Sequence, residues 1–364
     1  MPRELKKIAF VVEEFSVPSP AQQLLDRFLI GYPRDGRFHR PEGCRVAAHL
    51  TPGANDVELR RRAGDFGLTL AGSVKEAVAD ADGVVIVWRD TGAVANDAVL
   101  REVLECAAGK TVCFVHGVLA ESLSGARAMM KLAASRNIAL LSGTPLGVTW
   151  RLPEFKLPAA TVLKEALVVV QGDAPSGELD GLECLAPVIE GRRGGEVGWR
   201  RIRHLEGPAV WRGGDEGAWS WPLLASAISR SDMPQGDAVT DGRTQDLVGL
   251  GLVPKLAQSP RAWLIEHQDG LRSSILVLDG VVGDYNFAVQ TAGGRIYSAQ
   301  IYRPPSPGQH HFSELARALE ELLRSGSSPW SAGRSVLIAG GLEAFANPRT
   351  RSGKWEETRE LKTG

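Results

Sequence analysis

The chain has 364 residues, which at about 150 residues per domain indicates two or three domains. Its 42 basic and 43 acidic residues leave a formal net charge of −1; such a balance gives no field for holding nucleic acid and argues against a DNA- or RNA-binding protein. No apolar stretch is long enough to span a membrane, and the residues before Lys7 lack the apolar core of a signal peptide, so no membrane association is predicted. The cysteines Cys44, Cys106, Cys113 and Cys184 form no C-x-x-C pair, which favours a cytoplasmic protein with reduced thiols and no bound metal.

Strands and helices alternate through the first 150 residues. The predicted strands cover 7–12, 45–50, 68–70, 83–88, 111–115 and 138–141, and the predicted helices cover 20–29, 56–66, 74–79, 96–108 and 122–136. A polar, turn-rich segment, 31–43, is predicted as a loop. The alternation predicts an α/β fold in which residues 1–150 form a Rossmann-like, doubly wound parallel sheet.

In such a sheet, ligands bind beyond the carboxyl ends of the strands, where the strand order reverses. A dinucleotide-binding turn would carry G-x-G-x-x-G there, because glycines let the backbone approach a pyrophosphate. The turn after the first strand reads Glu13-Glu14-Phe15-Ser16-Val17-Pro18-Ser19-Pro20, with two carboxylates and no glycine. We therefore expect NAD(P) to bind weakly or not at all, and the sequence identifies neither another cofactor nor cofactor-binding residues.

A different pattern begins after Pro158. Helices are predicted over 177–192, 219–229, 311–324 and 335–346, with an edge strand over 197–205 and a strand over 161–170. Four short runs, 261–267, 272–279, 282–290 and 296–302, are separated by Asp-Gly and Gly-Gly turns and predict an antiparallel meander. Residues 151–346 are thus predicted to form an α+β domain with an open, mostly antiparallel sheet, followed by a loose, charged tail over 347–364.

Two stretches resemble a known family. Residues 109–143 are similar to the late Rossmann segment of the glucose–fructose oxidoreductase, inositol dehydrogenase and MocA family, and residues 311–344 match its ending in style. Residues 26–41, 148–151 and 192–196 are similar to one divergent bacterial branch of it. The resemblance implies an oxidoreductase-like fold, a substrate domain and self-association through the outer face of the open sheet.

The chain departs from that family at the residues that would do its chemistry. Where the family has the lysine of E-K-P, this chain has Phe114-Val115-His116-Gly117. The family's D-x-x-x-H pair would lie on the helix that begins near Gly177, which contains Asp180 and Glu183 but no histidine. Both departures add to the doubt that the missing glycines cast on nicotinamide dependence.

The segment 26–40 is the densest polar stretch and follows the first helix. Long loops of this kind are often functional, and arginine forks suit carboxylate or phosphate ligands. Its candidate substrate-binding residues are Asp26, Arg27, Tyr32, Arg34, Asp35, Arg37 and Arg40, and its candidate catalytic residue is His39. An equal alternative is a structural loop whose charges pair with one another.

Further candidates lie at strand ends and on the second-domain helix. His116 follows a buried strand and is a candidate acid–base residue, with a hydrogen-bonded structural histidine as the alternative. Asp180 is the third candidate catalytic residue and Glu183 a substrate-binding one, the alternative being a solvated helix face. Trp150 and Arg151, at the predicted domain crossing, would bind a polar ligand or pack a hinge.

Three functional classes follow from these residues. The leading one is an oxidoreductase-fold enzyme acting on a small anionic or polyhydroxylated metabolite between the two domains. The second is a non-redox lyase, isomerase or hydrolase, and the third is a non-catalytic binding or scaffold subunit. The expected partners are a small-molecule ligand and further copies of the chain, as a dimer or a larger homo-oligomer.

Overall fold

The computed structural model describes residues 7–89, 93–158, 160–236 and 245–362. The chain separates into two compact units: Met1–Val148 with Pro304–Gly340 (unit 1), and Thr149–Arg303 with Gly341–Gly364 (unit 2). The predicted boundary at 150/151 made each domain continuous, whereas here a late segment returns to the first unit. The reason is packing, because Phe312, Leu315 and Leu319 of that segment are buried in the unit 1 core.

Unit 1 contains a six-stranded sheet. Its strands are β1 (Lys7–Val12), β4 (Arg45–Leu50), β5 (Thr69–Leu70), β6 (Gly83–Val87), β7 (Val112–His116) and β8 (Ala139–Gly143). They are ordered β5-β4-β1-β6-β7-β8 and every neighbouring pair is parallel. The predicted doubly wound sheet is confirmed, and its strand order reverses between β1 and β6.

Helices flank this sheet. They are α1 (Pro20–Leu29), α2 (Val57–Phe66), α3 (Val74–Val78), α4 (Asp97–Cys106), α5 (Leu123–Ser135) and α10 (His311–Ser325). Side-chain caps start several of them: Ser19, Ser73 and Ser122 each accept a backbone N–H of the first turn, as expected of good N-cap residues. Gly83 lets α10 approach β6 closely, since a Cβ there would lie 2.3 Å from Leu323 Cδ2.

The segment 31–43 contains a β-hairpin rather than the predicted irregular loop. Strands β2 (Tyr32–Arg34) and β3 (Arg37–His39) pair antiparallel across Asp35-Gly36. Both turn residues have positive φ, 51° and 74°, which is the backbone of the tight hairpin turn that Asp-Gly favours.

Unit 2 contains an eight-stranded mixed sheet. Its strands are β9 (Arg151–Leu152), β10 (Leu163–Val170), β11 (Trp199–Glu206), β12 (Gln258–His267), β13 (Arg272–Asp279), β14 (Tyr285–Thr291), β15 (Ile296–Ile301) and β16 (Glu356–Glu357). Their order is β16-β11-β12-β13-β10-β14-β15-β9. The predicted four-strand meander is wrong at its centre, because β10 lies between β13 and β14 and pairs parallel with β13.

Helices lie on both faces of this sheet. They are α6 (Ser176–Glu190), α7 (Pro208–Asp215), α8 (Trp221–Ile228) and α9 (Val253–Leu256), with the last residues of α11 (Ala332–Ala346), the part of that helix that belongs to unit 2. The face bearing Ile275 and Val277 meets Gly181 and Gly177 of α6. The opposite face, with Leu264, Leu276 and Ala288, is buried with Trp219, Leu223 and Val253 in one apolar cluster. The sheet is open as predicted, since its strand order runs from β16 to β9 without closing into a barrel, and helices pack on both of its faces.

The tail after Asn347 differs from the loose segment that its charge predicted. Its strand β16 pairs with β11, and the Trp199 N–H donates to the Leu361 carbonyl at 2.7 Å. Leu361 is 1% exposed. One buried apolar side chain and a few backbone hydrogen bonds hold the segment in place. The charge of the segment gives no indication of these contacts.

Candidate functional site

The connection between β1 and α1 lies at the point where the strand order of unit 1 reverses. The Glu13 carboxylate accepts the Arg89 backbone N–H at 3.0 Å and the Asn96 side-chain amide at 2.7 Å. Glu13 therefore joins the end of β1 to the segments that follow β6. An acidic side chain is built into the place where this fold brings a ligand.

A cavity of about 250 Å³ adjoins this connection. It is lined by Glu14, Ser16, Pro18, Ser19, Pro20, Ala21 and Trp88. Its walls offer one carboxylate, two hydroxyls and an indole, which suits a small neutral or cationic group better than an anion.

The residues of this connection do not fit the pyrophosphate of a dinucleotide. Such a group needs free backbone N–H groups at the start of the helix and a close, glycine-lined approach. Pro20 has no N–H, the Gln22 N–H is bound by Ser19 Oγ, and the Gln23 N–H by the Ser19 carbonyl. Glu13 and Glu14 add negative charge where phosphates would approach.

Asp26 and Arg27, predicted to bind substrate, are engaged within unit 1. Asp26 receives two bonds from Arg62, at 2.7 and 2.8 Å. Arg27 is 7% exposed and donates to Ser313 Oγ, to the carbonyl and side-chain oxygens of Gln23, and to the carbonyls of Gly308 and Gln309. Burial lowers the pKa of Arg27 to about 10, which still leaves it charged at neutral pH. These bonds join α1 to the segment before α10.

The hairpin is held by a buried carboxylate that was not among the predicted residues. Glu320 on α10 contacts His39 Nε2 at 2.7 Å, Arg34 at 3.7 Å and Arg324 at 3.0 Å. The Tyr32 ring meets the His39 ring edge-on, with centroids 5.3 Å apart. His39 is thus placed in an ion-pair cluster, which supports the structural alternative weighed for this segment.

The remaining charges of the hairpin point to solvent. Asp35, Arg37 and Arg40 are exposed, and Asp35 has an ion pair with Arg34 at 3.5 Å. The hairpin thus has half-buried side chains that contact Glu320, and exposed charges at its tip and just after β3.

His116 ends β7 and is buried. Its ring stacks on Phe312 at 5.8 Å, and within the described residues neither ring nitrogen has a hydrogen-bond partner. Burial lowers the pKa of His116 to about 4, so the ring is neutral at pH 7. It is neither the hydrogen-bonded histidine that was the alternative nor a base exposed to a ligand.

Asp180, on α6 of unit 2, lies beside a buried tyrosine. Its Oδ2 accepts the Tyr285 hydroxyl at 2.6 Å, and that hydroxyl is also 3.3 Å from the Gln171 carbonyl. Burial raises the pKa of Asp180 more than Arg303 and the Tyr285 bond lower it. Asp180 is partly exposed, while Tyr285 is buried on β14. A carboxyl with a raised pKa and a fixed hydroxyl partner is able to give and take a proton.

Charged and polar groups surround this pair. The Arg303 guanidinium lies over the Tyr285 ring, 4.8 Å from its centroid. Cys184 follows Glu183 on α6. Burial and the charge of Asp180 raise the pKa of its thiol well above the ordinary value, and the charges of Arg151 and Arg303 act in the opposite direction. Glu183 is 2% exposed, which excludes the solvated helix face considered for it.

Trp150 remains accessible. It is 54% exposed, and its ring stacks on Tyr302 with centroids 5.4 Å apart. Arg151, next in the chain, donates to the Thr149 carbonyl. Both residues belong to unit 2, as do Asp180, Glu183 and Arg303.

Sequence reasoning missed Tyr285, Arg303 and Glu320. In the sequence, Tyr285 looks like one more apolar residue of a strand, and Arg303 looks like an ordinary charged residue after a strand. Strand alternation offers a weak signal, because Tyr285 shares the face of β14 that bears Phe287, and α6 covers that face. Among the residues with described positions, no three His, Cys, Asp or Glu side chains are grouped as metal ligands. In the same residues no helix is both long and apolar enough to cross a bilayer.

No protein-family model and no curated protein matches the chain. Solved structures do match over almost the whole chain. GenD2 from gentamicin A biosynthesis, solved with NAD, is 13% identical with a TM-score of 0.60, and the match covers 98% of this chain and 97% of that one. Myo-inositol dehydrogenase from Lactobacillus casei, solved with NAD(H) and myo-inositol, is 14% identical with a TM-score of 0.57 and the same coverages.

A myo-inositol 2-dehydrogenase from Lactobacillus plantarum is 8% identical with a TM-score of 0.60, and the match covers 98% of this chain and 100% of that one. At such low identity these likenesses establish the fold. The chain therefore has the fold of the glucose–fructose oxidoreductase, inositol dehydrogenase and MocA family, a Rossmann-like parallel sheet and a mixed, mostly antiparallel second sheet.

Proposed function

We propose that the chain is an enzyme of oxidoreductase-like fold that acts on a small polar metabolite, with Asp180 as its proton-transfer residue. One observation carries the proposal: the partly exposed Asp180 carboxyl accepts a 2.6 Å bond from the buried Tyr285 hydroxyl. Burial raises the pKa of this carboxyl, which brings it nearer to the neutral range in which a general acid or base is effective.

In this proposal Asp180 removes a proton from a substrate carbon that a neighbouring carbonyl or carboxyl group activates, and returns it in the reverse direction. Tyr285 positions the carboxylate, because its ring is buried in β14 and its hydroxyl is fixed between Asp180 and the Gln171 carbonyl. Only the exposed edge of Asp180 is left for a substrate. His39 and His116 take no part, the first because Glu320 binds it and the second because it is buried.

Nicotinamide nucleotides bind weakly or not at all in this proposal. The support is the β1–α1 connection, where Pro20 and Ser19 remove donors and Glu13 and Glu14 add negative charge. Two lost charge-assisted bonds, each worth about 1.5–3 kcal/mol, would weaken binding by about two to four powers of ten. This favours the non-redox enzymes, a lyase or isomerase, as the second candidate function, since they need the same proton transfer and no nicotinamide.

The test follows proton transfer without assuming a cofactor. The protein is incubated in D₂O with inositols, aldoses, aldonic acids and 2-hydroxy acids, and ¹H NMR records the exchange of substrate C–H for deuterium. We expect exchange with at least one class, its loss in Asp180→Asn, and its retention in the matched control Asp173→Asn, whose side chain is exposed before α6.

Exchange that persists unchanged in Asp180→Asn, or no exchange with any class, overturns the proposal and favours the non-catalytic subunit. Calorimetric titration with NAD⁺ and NADP⁺ tests the second part separately. A micromolar dissociation constant for either nucleotide would contradict weak binding and restore a nicotinamide-dependent dehydrogenase.

A further inference from the structure

Arg303, which follows β15, differs from most arginines on the strands of the unit 2 sheet. Four of those pair with a carboxylate within 4.0 Å: Arg200, Arg201, Arg261 and Arg272. Within the described part of the chain, Arg303 has no such pair. Its guanidinium instead lies over the Tyr285 ring, with Cζ 4.8 Å from the ring centroid.

This contact fixes the guanidinium while leaving its donors accessible. A cation over an aromatic face is held through the ring quadrupole, and none of its N–H groups is consumed. Arg303 is exposed, so the edge of its fork faces solvent. A planar fork of this kind matches the two oxygens of a carboxylate or a phosphate.

The same tyrosine joins Arg303 to Asp180. The Tyr285 ring supports the guanidinium, and its hydroxyl bonds to the Asp180 carboxyl at 2.6 Å. One rigid side chain thus places a cation and a proton-transfer group next to each other. A small ligand that bears both an anionic group and a hydroxyl has a group for each of them.

Resting on the proposed function, we infer that Arg303 binds an anionic group of the substrate, which is a small hydroxy acid or hydroxylated phosphate monoester, while its hydroxyl lies at Asp180. Of the two substrate classes that the sequence left open, this selects the anionic one. Arg303 is then a specificity-determining residue that contacts substrate without transferring a proton.

Unit 2 offers a matched control for this inference. Arg295 lies over the Tyr297 ring, also at 4.8 Å, and is likewise exposed. Among the described residues, no carboxyl accepts a hydrogen bond from the Tyr297 hydroxyl. Arg295 therefore has the same cation–ring contact without the neighbouring acid.

The experiment uses glycolate and ethylene glycol, which have the same carbon skeleton and differ by a carboxylate. Their affinities for the full chain are measured by ligand-observed NMR titration, with inorganic phosphate as a third probe. We expect glycolate to bind at least tenfold more tightly than ethylene glycol, and Arg303→Gln to weaken glycolate binding about ten- to a hundredfold. Arg295→Gln should change nothing, and Arg303→Lys should keep part of the affinity.

Equal affinities for the two probes, or unchanged glycolate binding in Arg303→Gln, overturn the inference. Failure of this inference is distinguishable from failure of the proposed function. If Arg303→Gln does not change glycolate affinity, deuterium exchange can still depend on Asp180. Conversely, Asp180→Asn should abolish exchange while leaving the preference for glycolate over ethylene glycol, which depends on Arg303. If phosphate binds in an Arg303-dependent manner more tightly than glycolate, the anion is a phosphate ester.

Discussion

The hairpin region of unit 1 (residues 26–40) and the α6–β14 region of unit 2 (Asp180, Tyr285 and Arg303) contain similar charged side chains. Those that are buried or half-buried in the first region are paired, and those in the second region are only partly paired. In the hairpin region Arg27, His39 and Asp26 are each bound by partners within their own unit. In the α6–β14 region Asp180 has one hydroxyl partner, and Arg303 rests on an aromatic ring. A dense run of charged residues in the sequence therefore indicates a well-paired, structural segment. The capacity for chemistry depends instead on which charged side chains are left incompletely paired in the fold.

The largest expected effect tests the structural side of this comparison. Arg27→Ala removes the donor that satisfies four oxygens between 2.7 and 3.1 Å along α1 and before α10. Leaving several buried acceptors unpaired should lower the free energy of unfolding by about 3 kcal/mol or more, measured by urea denaturation. Arg37→Ala, at the exposed hairpin tip, should stay within about 0.5 kcal/mol of the parent.

A loss below about 1 kcal/mol for Arg27→Ala would break the comparison, since Arg27 would then be free to serve a ligand. A folded Arg27→Ala protein should also keep its deuterium exchange, because Arg27 lies outside the Asp180 cluster.

The sequence predicted the elements of both regions better than it predicted their partners. Period and capping signals such as Ser19-Pro20 act within a few residues, so α1 and the parallel strands could be predicted from local patterns. The insertion of β10 between β13 and β14, by contrast, depends on which edges meet after the chain collapses. The Asp35-Gly36 turn was a local signal of a hairpin and was overlooked.

The candidate residues show the same limit. Asp180 was predicted because the helix period could be read, yet its partner Tyr285 lies 105 residues away. His39 meets Glu320 at a separation of 281 residues. Pairing over such distances decides whether a charge is structural or reactive, and a single sequence contains no rule for it.

The next effect concerns His116, a titratable group of unit 1 whose ring nitrogens have no hydrogen-bond partner among the described residues. Its pKa in the folded chain is about 4, below the ordinary 6.5. The unfolded chain therefore takes up a proton first as the pH falls, and stability is lost between about pH 6.5 and 4. We expect the free energy of unfolding to drop by about 2 kcal/mol between pH 7 and pH 5 on account of this residue.

Urea denaturation of the parent and of His116→Leu at both pH values isolates this contribution, because the difference between pH values cancels any packing defect of the variant. A pH dependence that is the same in both proteins would show that His116 has a proton-binding partner in the folded state. It would then resemble the groups of the α6–β14 region.

A smaller effect is expected at His39, the predicted catalytic histidine of the hairpin. His39→Ala removes one bond from Glu320, which keeps Arg34 and Arg324. The cost should be about 1 kcal/mol, with the exposed His310→Ala as the control. Deuterium exchange should be unaffected, and a loss of exchange in a stably folded His39→Ala protein would return His39 to the catalytic residues.

Tyr285→Phe is expected to have an equally small effect on stability and the sharpest effect on chemistry. The change removes the hydroxyl that donates to Asp180 at 2.6 Å and leaves the buried ring and its contact with Arg303. The free energy of unfolding should fall by only about 1 kcal/mol. Because the hydroxyl bond stabilises the charged carboxylate, its loss should raise the pKa of Asp180 further. The basic form of Asp180 then appears at higher pH, so the pH profile of deuterium exchange should shift upward, while glycolate affinity stays the same because Arg303 keeps its ring. An unshifted profile would mean that Tyr285 only fills space, and the α6–β14 region would lose the feature that distinguishes it from the hairpin.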